Sequence, residues 1–300
     1  MQISLLTRRP GVFNIDYLKE IIKRLLNKKS GPLSVLESMK RGLSFLGVEY
    51  SVNDKIFEIV HVVSGVNALR YALDLKKKNL IKTLIVGPAI IASPEEEGGI
   101  INDPSIDVIV FPSQWTKNYF CSKLPELKDK IELWPAGVMD LGENSQDKEG
   151  VLIFNKNNVK LTGEISGYLN NKIKYSIIKY GKFKREDYYK LLDANKYLIY
   201  LSDSESQGLA LQEAWMRNVP TFVYNRGYWQ LGSNKWTDEK ISAPYLNDET
   251  GMFFKDIEDF KNKFDIFISQ KYNPRKYCLE NLSDRKSAEI LINIINKYVK

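Results

Sequence analysis

Short apolar runs alternate with longer amphipathic stretches along this chain, which is the pattern of an α/β protein with parallel sheets. In the first half, the apolar runs predict strands near residues 3–7, 49–52, 59–63, 83–87 and 108–112. The amphipathic stretches predict helices near 15–27, 34–46, 66–77 and 115–122. Gly31 and Pro32 stand just before the second of these helices in this prediction.

A polar, turn-rich segment at residues 140–150 interrupts this rhythm and is predicted to be a linker. Beyond it, strands are predicted near 151–154, 175–179, 197–201 and 221–224, and helices near 162–170, 185–195 and 209–217. Apolar residues at helical spacing between 284 and 300 predict a final helix. We therefore expect one α/β domain at 1–140, a second at 150–283, and a C-terminal helix at 284–300.

Composition narrows the class of protein. With 43% hydrophobic and 27% charged residues, the chain has the make-up of a soluble globular protein, and no apolar run is long enough to span a bilayer. Two distant cysteines and a start that lacks the order of a signal peptide indicate the cytoplasm. The net charge of +7 suits an anionic partner, but the Lys and Arg residues are scattered, so nucleic acid is not expected.

The strongest chemical signal lies in residues 202–220, where Glu205 and Glu213 stand eight positions apart around Gly208. Gly208 falls where a predicted strand gives way to a helix. The N-terminus of such a helix offers free N–H groups and a positive dipole end, so it attracts a phosphate. A phosphate bracketed by two carboxylates that bind hydroxyl groups describes a nucleotide-sugar. Glu213 would then bind the ribose, and Glu205 the sugar.

The same segment resembles the E-x₇-E signature of the retaining glycosyltransferases of family four, which have the GT-B fold. The resemblance rests on Glu205, Ser206-Gln207-Gly208-Leu209, Glu213-Ala214 and Asn218-Val219-Pro220. Trp215, Arg217 and Gln207 depart from the usual pattern. Weaker likenesses to the same family occur, in the expected order, at residues 30–50, 110–117, 133–140 and 245–252.

This resemblance implies two Rossmann-like domains that face each other across a cleft, with the last helix packing back on the N-terminal domain. It implies a hexosyltransferase-type enzyme that moves a sugar from a nucleotide-diphosphate donor to a hydroxyl of a glycan or glycolipid, with retention. The donor is a substrate, and no cofactor is expected. Glu205 and Lys156 would be catalytic. The implied donor-binding residues are Lys160, Gly181, Lys182, Phe183, Gln207, Gly208, Leu209, Ala210 and Glu213.

No D-x-D pair or metal-ligand cluster occurs in the sequence, so no metal is expected.

Other interpretations of the sequence stay open beside the glycosyltransferase. A GT-B sugar-nucleotide epimerase and a non-catalytic nucleotide-sugar-binding scaffold remain alternatives. Gly11, Gly31 and His61 are candidate contacts in the cleft, although a lone strand histidine is more often structural. Residues 15–29 form a basic amphipathic pattern that either packs on the sheet or contacts an anionic membrane peripherally.

Overall fold

The computed structural model describes residues 1–11, 31–142 and 147–299. They form two compact units. Unit 1 consists of Met1–Gly137 together with Asp284–Lys300, and unit 2 consists of Val138–Ser283. The helix predicted at 15–27, and with it the amphipathic pattern at 15–29, lies outside the described residues. Within the described ranges, no helix is both long and apolar enough to cross a bilayer.

Unit 1 is built on a parallel six-stranded sheet with the order β2-β1-β3-β4-β5-β6. Its strands are β1 (Gln2–Leu6), β2 (Glu49–Val52), β3 (Ile59–Ser64), β4 (Thr83–Ala89), β5 (Val108–Phe111) and β6 (Ile131–Leu133). Its helices are α1 (Gly31–Phe45), α2 (Val66–Lys77), α3 (Gln114–Lys123) and α9 (Asp284–Tyr298), with short 3₁₀ turns at Glu96–Gly98, Ile100–Asn102 and Pro125–Lys130. The sequence did not predict β6.

One boundary in unit 1 differs from the prediction. Gly31 and Pro32 belong to α1 and do not precede it. The described part of that helix begins at Gly31.

Unit 2 is built on a parallel five-stranded sheet with the order β13-β10-β9-β7-β8. Its strands are β7 (Val151–Asn155), β8 (Tyr175–Lys179), β9 (Tyr197–Leu201), β10 (Thr221–Tyr224) and β13 (Gly251–Phe254). An antiparallel hairpin, β11 (Tyr228–Leu231) and β12 (Asn234–Thr237), forms a separate sheet. The helices are α4 (Val159–Leu169), α5 (Arg185–Ala194), α6 (Leu209–Met216), α7 (Ile257–Ser269) and α8 (Pro274–Asn281).

The chain enters unit 2 at Val138, before the polar segment that was predicted to be the linker. Val138 pairs with Ser283, and its N–H donates to the carbonyl of Leu282 over 2.9 Å. Arg275 then binds the carboxylate of Asp140 at 2.8 Å. These contacts fix residues 138–140 to the body of unit 2, although their sequence is typical of a connection.

The last helix, α9, completes the core of unit 1. The guanidinium of Arg41 in α1 donates two hydrogen bonds to the Asp284 carboxylate, at 2.5 and 3.1 Å. Gly42 lies so close to α9 that an added Cβ would stand 2.7 Å from the Cβ of Ala288. Trp134 donates to the Ser287 carbonyl at 2.9 Å. The predicted α/β class with two parallel sheets is therefore confirmed, and the last helix returns to the first unit as the resemblance implied.

Candidate functional site

The candidate site begins at the step from β9 to α6 in unit 2. β9 is buried along its whole length, since its apolar run packs inside the sheet. Gly208 precedes α6 with a φ of 84°, a left-handed conformation that glycine adopts without strain. The loop between them is held by the N–H of Glu205, which donates to the carbonyl of Ile241 at 2.9 Å. The first turn of α6 therefore opens at the carboxyl edge of the sheet, where α/β proteins bind ligands.

Glu205 is held by a cation and a tyrosine. The Lys156 ammonium and the Tyr200 hydroxyl both donate to Oε1 of Glu205, each at 2.7 Å. Tyr200 is buried in β9, and burial, followed by the charge of Glu205, raises its pKa well above the ordinary value. Tyr200 therefore stays protonated and remains a donor at neutral pH. Lys156 follows β7, the neighbour of β9, so the sheet itself brings the two donors together.

Glu213, about one turn inside α6, has the same kind of environment. It is buried in α6. The Arg185 guanidinium forms an ion pair with Oε1 of Glu213, and the Tyr189 hydroxyl donates to the same atom at 3.3 Å. Arg185 and Tyr189 lie one turn apart on α5, with the guanidinium carbon 5.7 Å from the centre of the tyrosine ring. Each of the two glutamates therefore carries one cation and one phenol.

The sequence did not single out Arg185, Tyr189 or Tyr200. The i, i+4 spacing of Arg185 and Tyr189 on a predicted helix was an available signal, because it places both side chains on one face. Tyr200 gave no such signal, since a tyrosine inside an apolar strand is equally well explained as a core residue.

The loop after β8 carries the residues predicted to contact the base. Gly181 has a φ of 77°, and Lys182 is exposed. Phe183, however, packs inward, with its ring 5.7 Å from that of Phe154. The ring that faces solvent here is Tyr180, which is 52% exposed and lies 5.3 Å from the Lys156 ammonium. Tyr180 is thus the more exposed aromatic ring of this loop, and Phe183 is half-buried.

The structure separates the other predicted donor-binding residues into two groups. Gln207 is buried and donates to the side-chain oxygen of Gln212 at 3.0 Å, and the Ala210 carbonyl accepts from Tyr188 at 2.8 Å. Leu209 starts α6 and is partly buried against the core. Lys160 instead lies on α4 with 88% of its side chain exposed, 3.9 Å from Glu164. Lys156 and not Lys160 is therefore brought to Glu205.

His61 is a core residue of unit 1. It is fully buried in β3, its Nε2 donates to the Gly87 carbonyl at 2.8 Å, and its ring stands edge-on to Trp134. Burial lowers its pKa to about 4, so the imidazole is neutral. Such a side chain presents no ring nitrogen to a ligand, which favours the structural interpretation of His61. Gly11 and Gly31, the other candidate contacts in unit 1, are exposed backbone positions.

Among residues 1–11, 31–142 and 147–299, no group of three or more His, Cys, Asp and Glu side chains is arranged to hold a metal ion. The positive charge next to the glutamates comes from Lys156 and Arg185.

No family model and no curated protein matches this chain by sequence. Solved structures do match by fold. The chain is similar to the lipopolysaccharide outer core galactosyltransferase WaaB in its apo form, with 12% identity, a TM-score of 0.58 and 99% of each chain covered. It is also similar to the catalytic domain of starch synthase IV from Arabidopsis thaliana bound to ADP and acarbose, with 8% identity, a TM-score of 0.57 and 99% of each chain covered.

A third similar structure is the UDP-GlcNAc 2-epimerase from Methanocaldococcus jannaschii, with 13% identity, a TM-score of 0.51, and 99% of this chain and 100% of the other covered. At these identities the likeness concerns the fold. The chain has the GT-B fold, with its two sheets matched over nearly the whole length.

Proposed function

We propose that this protein is a glycosyltransferase that moves a hexose from a nucleotide-diphosphate sugar to a hydroxyl of a glycan or glycolipid acceptor, with retention. The observation that carries the proposal is the matched environment of the two glutamates. Glu205 precedes the α6 N-terminus and Glu213 lies about one turn inside that helix, each held by a cation and a tyrosine hydroxyl. A leaving diphosphate at this helix start would have an oriented carboxylate before it and another one turn after it.

The proposed roles follow from these contacts. Bond breaking leaves negative charge on the diphosphate, and the Lys156 ammonium with the N–H groups of Gly208 and Leu209 would stabilise it. Glu205, fixed by Tyr200 and Lys156, would accept hydrogen bonds from the hydroxyls of the transferred sugar. Glu213, fixed by Arg185, would accept from the ribose. This arrangement requires no divalent metal and no cofactor, because protein groups supply the positive charge.

The comparisons support this proposal at the level of the fold. Starch synthase IV was solved with ADP and a carbohydrate bound, and WaaB is a galactosyltransferase. The E-x₇-E resemblance adds the two acids at matching positions. We also propose a cytoplasmic location, because the two cysteines lie far apart in the sequence and have no metal-ligand spacing. The donor sugar, the base and the acceptor are to be found by experiment.

The decisive experiment has two stages. Thermal shift against a panel of nucleotide-sugars identifies the donor, since a ligand that binds only the folded protein stabilises it. Transfer of labelled sugar is then measured with and without acceptor extracts, and the anomeric configuration of the product is determined by NMR. Glu186→Gln, which changes an exposed acid beside Arg185, serves as the control for Glu205→Gln. Turnover that survives Glu205→Gln but is lost in Glu186→Gln contradicts the proposal.

An epimerase is the second candidate, because the Methanocaldococcus jannaschii enzyme matches the chain over its full length. It predicts conversion of the donor sugar without any acceptor. A chromatographic search for an epimer of the bound nucleotide-sugar separates the two. A donor that binds without transfer, hydrolysis or epimerisation would instead indicate the non-catalytic scaffold.

We further propose that the acceptor is presented at an anionic membrane surface. The basic amphipathic pattern at residues 15–29 supports this, with each cation near such a surface contributing roughly 1 kcal/mol. Co-sedimentation with anionic and neutral vesicles at low salt tests it. Binding to neither kind of vesicle removes the idea and favours a soluble acceptor.

A further inference from the structure

Arg217 follows α6 directly, and it is one of the residues that depart from the usual E-x₇-E pattern. Its guanidinium forms an ion pair with Asp193 of α5, and its side chain is only 12% exposed. Its backbone carbonyl accepts a hydrogen bond from the Lys148 ammonium. The backbone and the side chain of Arg217 are therefore both fixed, although nothing in the sequence singled out a role for this residue.

Arg217 and Glu213 are spaced four residues apart at the end of α6, so they lie on the same side of it. On α5, the residues Arg185, Tyr189 and Asp193 have the same spacing along one face. Arg185 pairs with Glu213, as described above. Asp193 pairs with Arg217 in the same way. Tyr189 therefore lies between two ion pairs that join α5 to the end of α6.

Tyr189 contacts both of these ion pairs. The guanidinium carbon of Arg217 lies 4.5 Å from the centre of the Tyr189 ring, nearer than that of Arg185 at 5.7 Å. A planar guanidinium at this distance is attracted to the ring. The hydroxyl of the same ring donates to Oε1 of Glu213 at 3.3 Å. This distance is long for an O–H···O bond, so the strength of the bond depends on where the ring is held.

The contact between Arg217 and the Tyr189 ring thus bears on the orientation of Glu213. Without the guanidinium, the ring loses its nearer cation, and Asp193 loses its ion pair with Arg217. The Tyr189 hydroxyl then has less to keep it on the carboxylate. A carboxylate that is already oriented binds a hydroxyl group more tightly, because less ordering is left to occur on binding.

We propose that Arg217 is a positioning residue that acts through Tyr189 to orient Glu213 toward the ribose of the donor nucleotide. It thereby strengthens the preference of the site for ribose over deoxyribose. The inference rests on the proposed function, in which the Glu213 carboxylate accepts hydrogen bonds from the ribose. A carboxylate has about four acceptor positions, so the contacts of Arg185 and Tyr189 on Oε1 leave room for ribose hydroxyls.

Titration calorimetry on the full chain tests this role with UDP, ADP and GDP as probes, each compared with its 2′-deoxy counterpart. The ribose preference is the ratio of the two dissociation constants, measured for the base that binds tightest. A general loss of stability or of phosphate affinity affects both nucleotides alike, because they share the base and the diphosphate. The ratio therefore reports on the contact with the 2′-hydroxyl group.

Arg217→Gln removes the cation from the Tyr189 ring and from Asp193, and we expect it to reduce the ribose preference roughly threefold to tenfold. Lys190→Gln is the matched control. Lys190 is an exposed lysine of α5 next to Tyr189 in the chain, and its loss changes the net charge equally. The control variant should keep the ribose preference of the wild type.

A double-variant cycle tests whether Arg217 acts through Tyr189. Tyr189→Phe removes only the hydroxyl group, and it should reduce the ribose preference at least as much as Arg217→Gln does. Adding Arg217→Gln to Tyr189→Phe should then cause no further reduction. If Arg217→Gln does not fold, Arg217→Lys replaces it, since lysine keeps a cation for Asp193 but lacks the planar guanidinium. A reduced preference is expected of that variant too.

Three results overturn the role of Arg217: an unchanged preference in the Arg217 variant, an equal reduction in Lys190→Gln, or a further reduction in the double variant. Glu213→Ala distinguishes these failures from that of the proposed function. If Glu213→Ala abolishes the preference while the Arg217 variant keeps it, only the role of Arg217 is wrong. If the wild type binds none of the probes or shows no preference, or if Glu213→Ala keeps it, the ribose contact of the proposed function is wrong as well.

Discussion

Unit 1 and unit 2 each contain a step in which a buried parallel strand leads through a glycine into a helix. In unit 1, β3 leads through Gly65, with a φ of 89°, into α2, and in unit 2, β9 leads through Gly208, with a φ of 84°, into α6. Neither helix has a side-chain cap at its N-terminus. The polar residues around the two steps differ completely. The first places a neutral, buried His61 in its strand, and the second brings two glutamates together with two cations.

The comparison shows that the backbone conformation of such a step and its ability to bind a ligand are separate properties. A positive-φ glycine before a helix is common to both units, so by itself it does not mark a ligand site. The acidic and basic side chains around the step in unit 2 come from the residue after β7, from the β9–α6 loop, from α5 and from α6, and they make that step a candidate site. The two glycines should accordingly respond to substitution for different reasons.

The largest expected effect is on stability, in Gly65→Ala. Its Cβ would lie 2.9 Å from the Thr7 carbonyl oxygen, whereas a Cβ at Gly208 meets the flexible end of Leu211 at 3.1 Å. Gly208→Ala incurs about 1–2 kcal/mol of left-handed strain. Gly65 also has a positive φ that side chains rarely adopt, and the clash with the Thr7 carbonyl adds roughly 1–3 kcal/mol there. Denaturant unfolding should therefore show the greater loss for Gly65→Ala. A greater loss for Gly208→Ala would contradict this account of the two steps.

The next effect distinguishes the two glutamates of unit 2. Glu213→Ala should reduce the affinity for the free nucleotide by about 1.5–3 kcal/mol, because a charged hydrogen bond to the ribose is lost. Glu205→Gln should leave nucleoside-diphosphate affinity nearly unchanged and lower turnover instead. Calorimetry and initial rates measure the two quantities. If Glu205→Gln weakens the free nucleotide as much as it weakens the intact donor, Glu205 does not contact the sugar.

A third test concerns His61, the polar residue of the unit 1 step. Its pKa is about 4 in the folded protein and near 6.5 when exposed, so the unfolded chain binds the proton more readily between these values. Stability contributed by the neutral imidazole is present above about pH 6.5 and is lost as the pH falls. Between pH 7 and 5 the loss should be about 2 kcal/mol.

The His61 prediction is checked by measuring the free energy of unfolding of the wild type and of His61→Gln at both pH values. Gln retains a donor for the Gly87 carbonyl but does not titrate. The same pH dependence in both proteins would show that other groups are responsible.

The smallest expected effect is on metal dependence. Because Lys156 and Arg185 supply the positive charge in unit 2, a chelator should leave turnover unchanged. Initial rates in EDTA, with and without added Mg²⁺ or Mn²⁺, measure this. Loss of turnover that Mg²⁺ or Mn²⁺ restores would show that a metal ion is required.

Much of the fold could be read from the sequence where apolar runs are bounded by polar turns. The strands β8 and β9 were predicted with their observed bounds for this reason. The β11–β12 hairpin was missed, although Gly232, with a φ of 57°, supplies a two-residue turn typical of hairpins. β6 was missed because its three residues are too few to show a period.

For the candidate site, the sequence predicted residues on one connected segment and missed those that the fold brings from elsewhere. Glu205 and Glu213 share a motif, so their proximity to one helix start followed from spacing. Arg185 lies in a separate strand–helix unit, and its contact with Glu213 depends on how α5 packs beside α6. Phe183 was expected at a ligand surface, and the structure shows it half-buried against Phe154, with Tyr180 as the more exposed ring of the same loop.

The position of α9 has a consequence for the order in which the protein is made. Unit 1 is interrupted: its chain leaves at Gly137 and returns only at Asp284. During synthesis on the ribosome, α1 emerges early, but the helix that packs on Gly42 emerges after all of unit 2. Unit 2 is a continuous segment and can complete its core first. Unit 1 therefore keeps the surface around Gly42 uncovered until α9 has been translated.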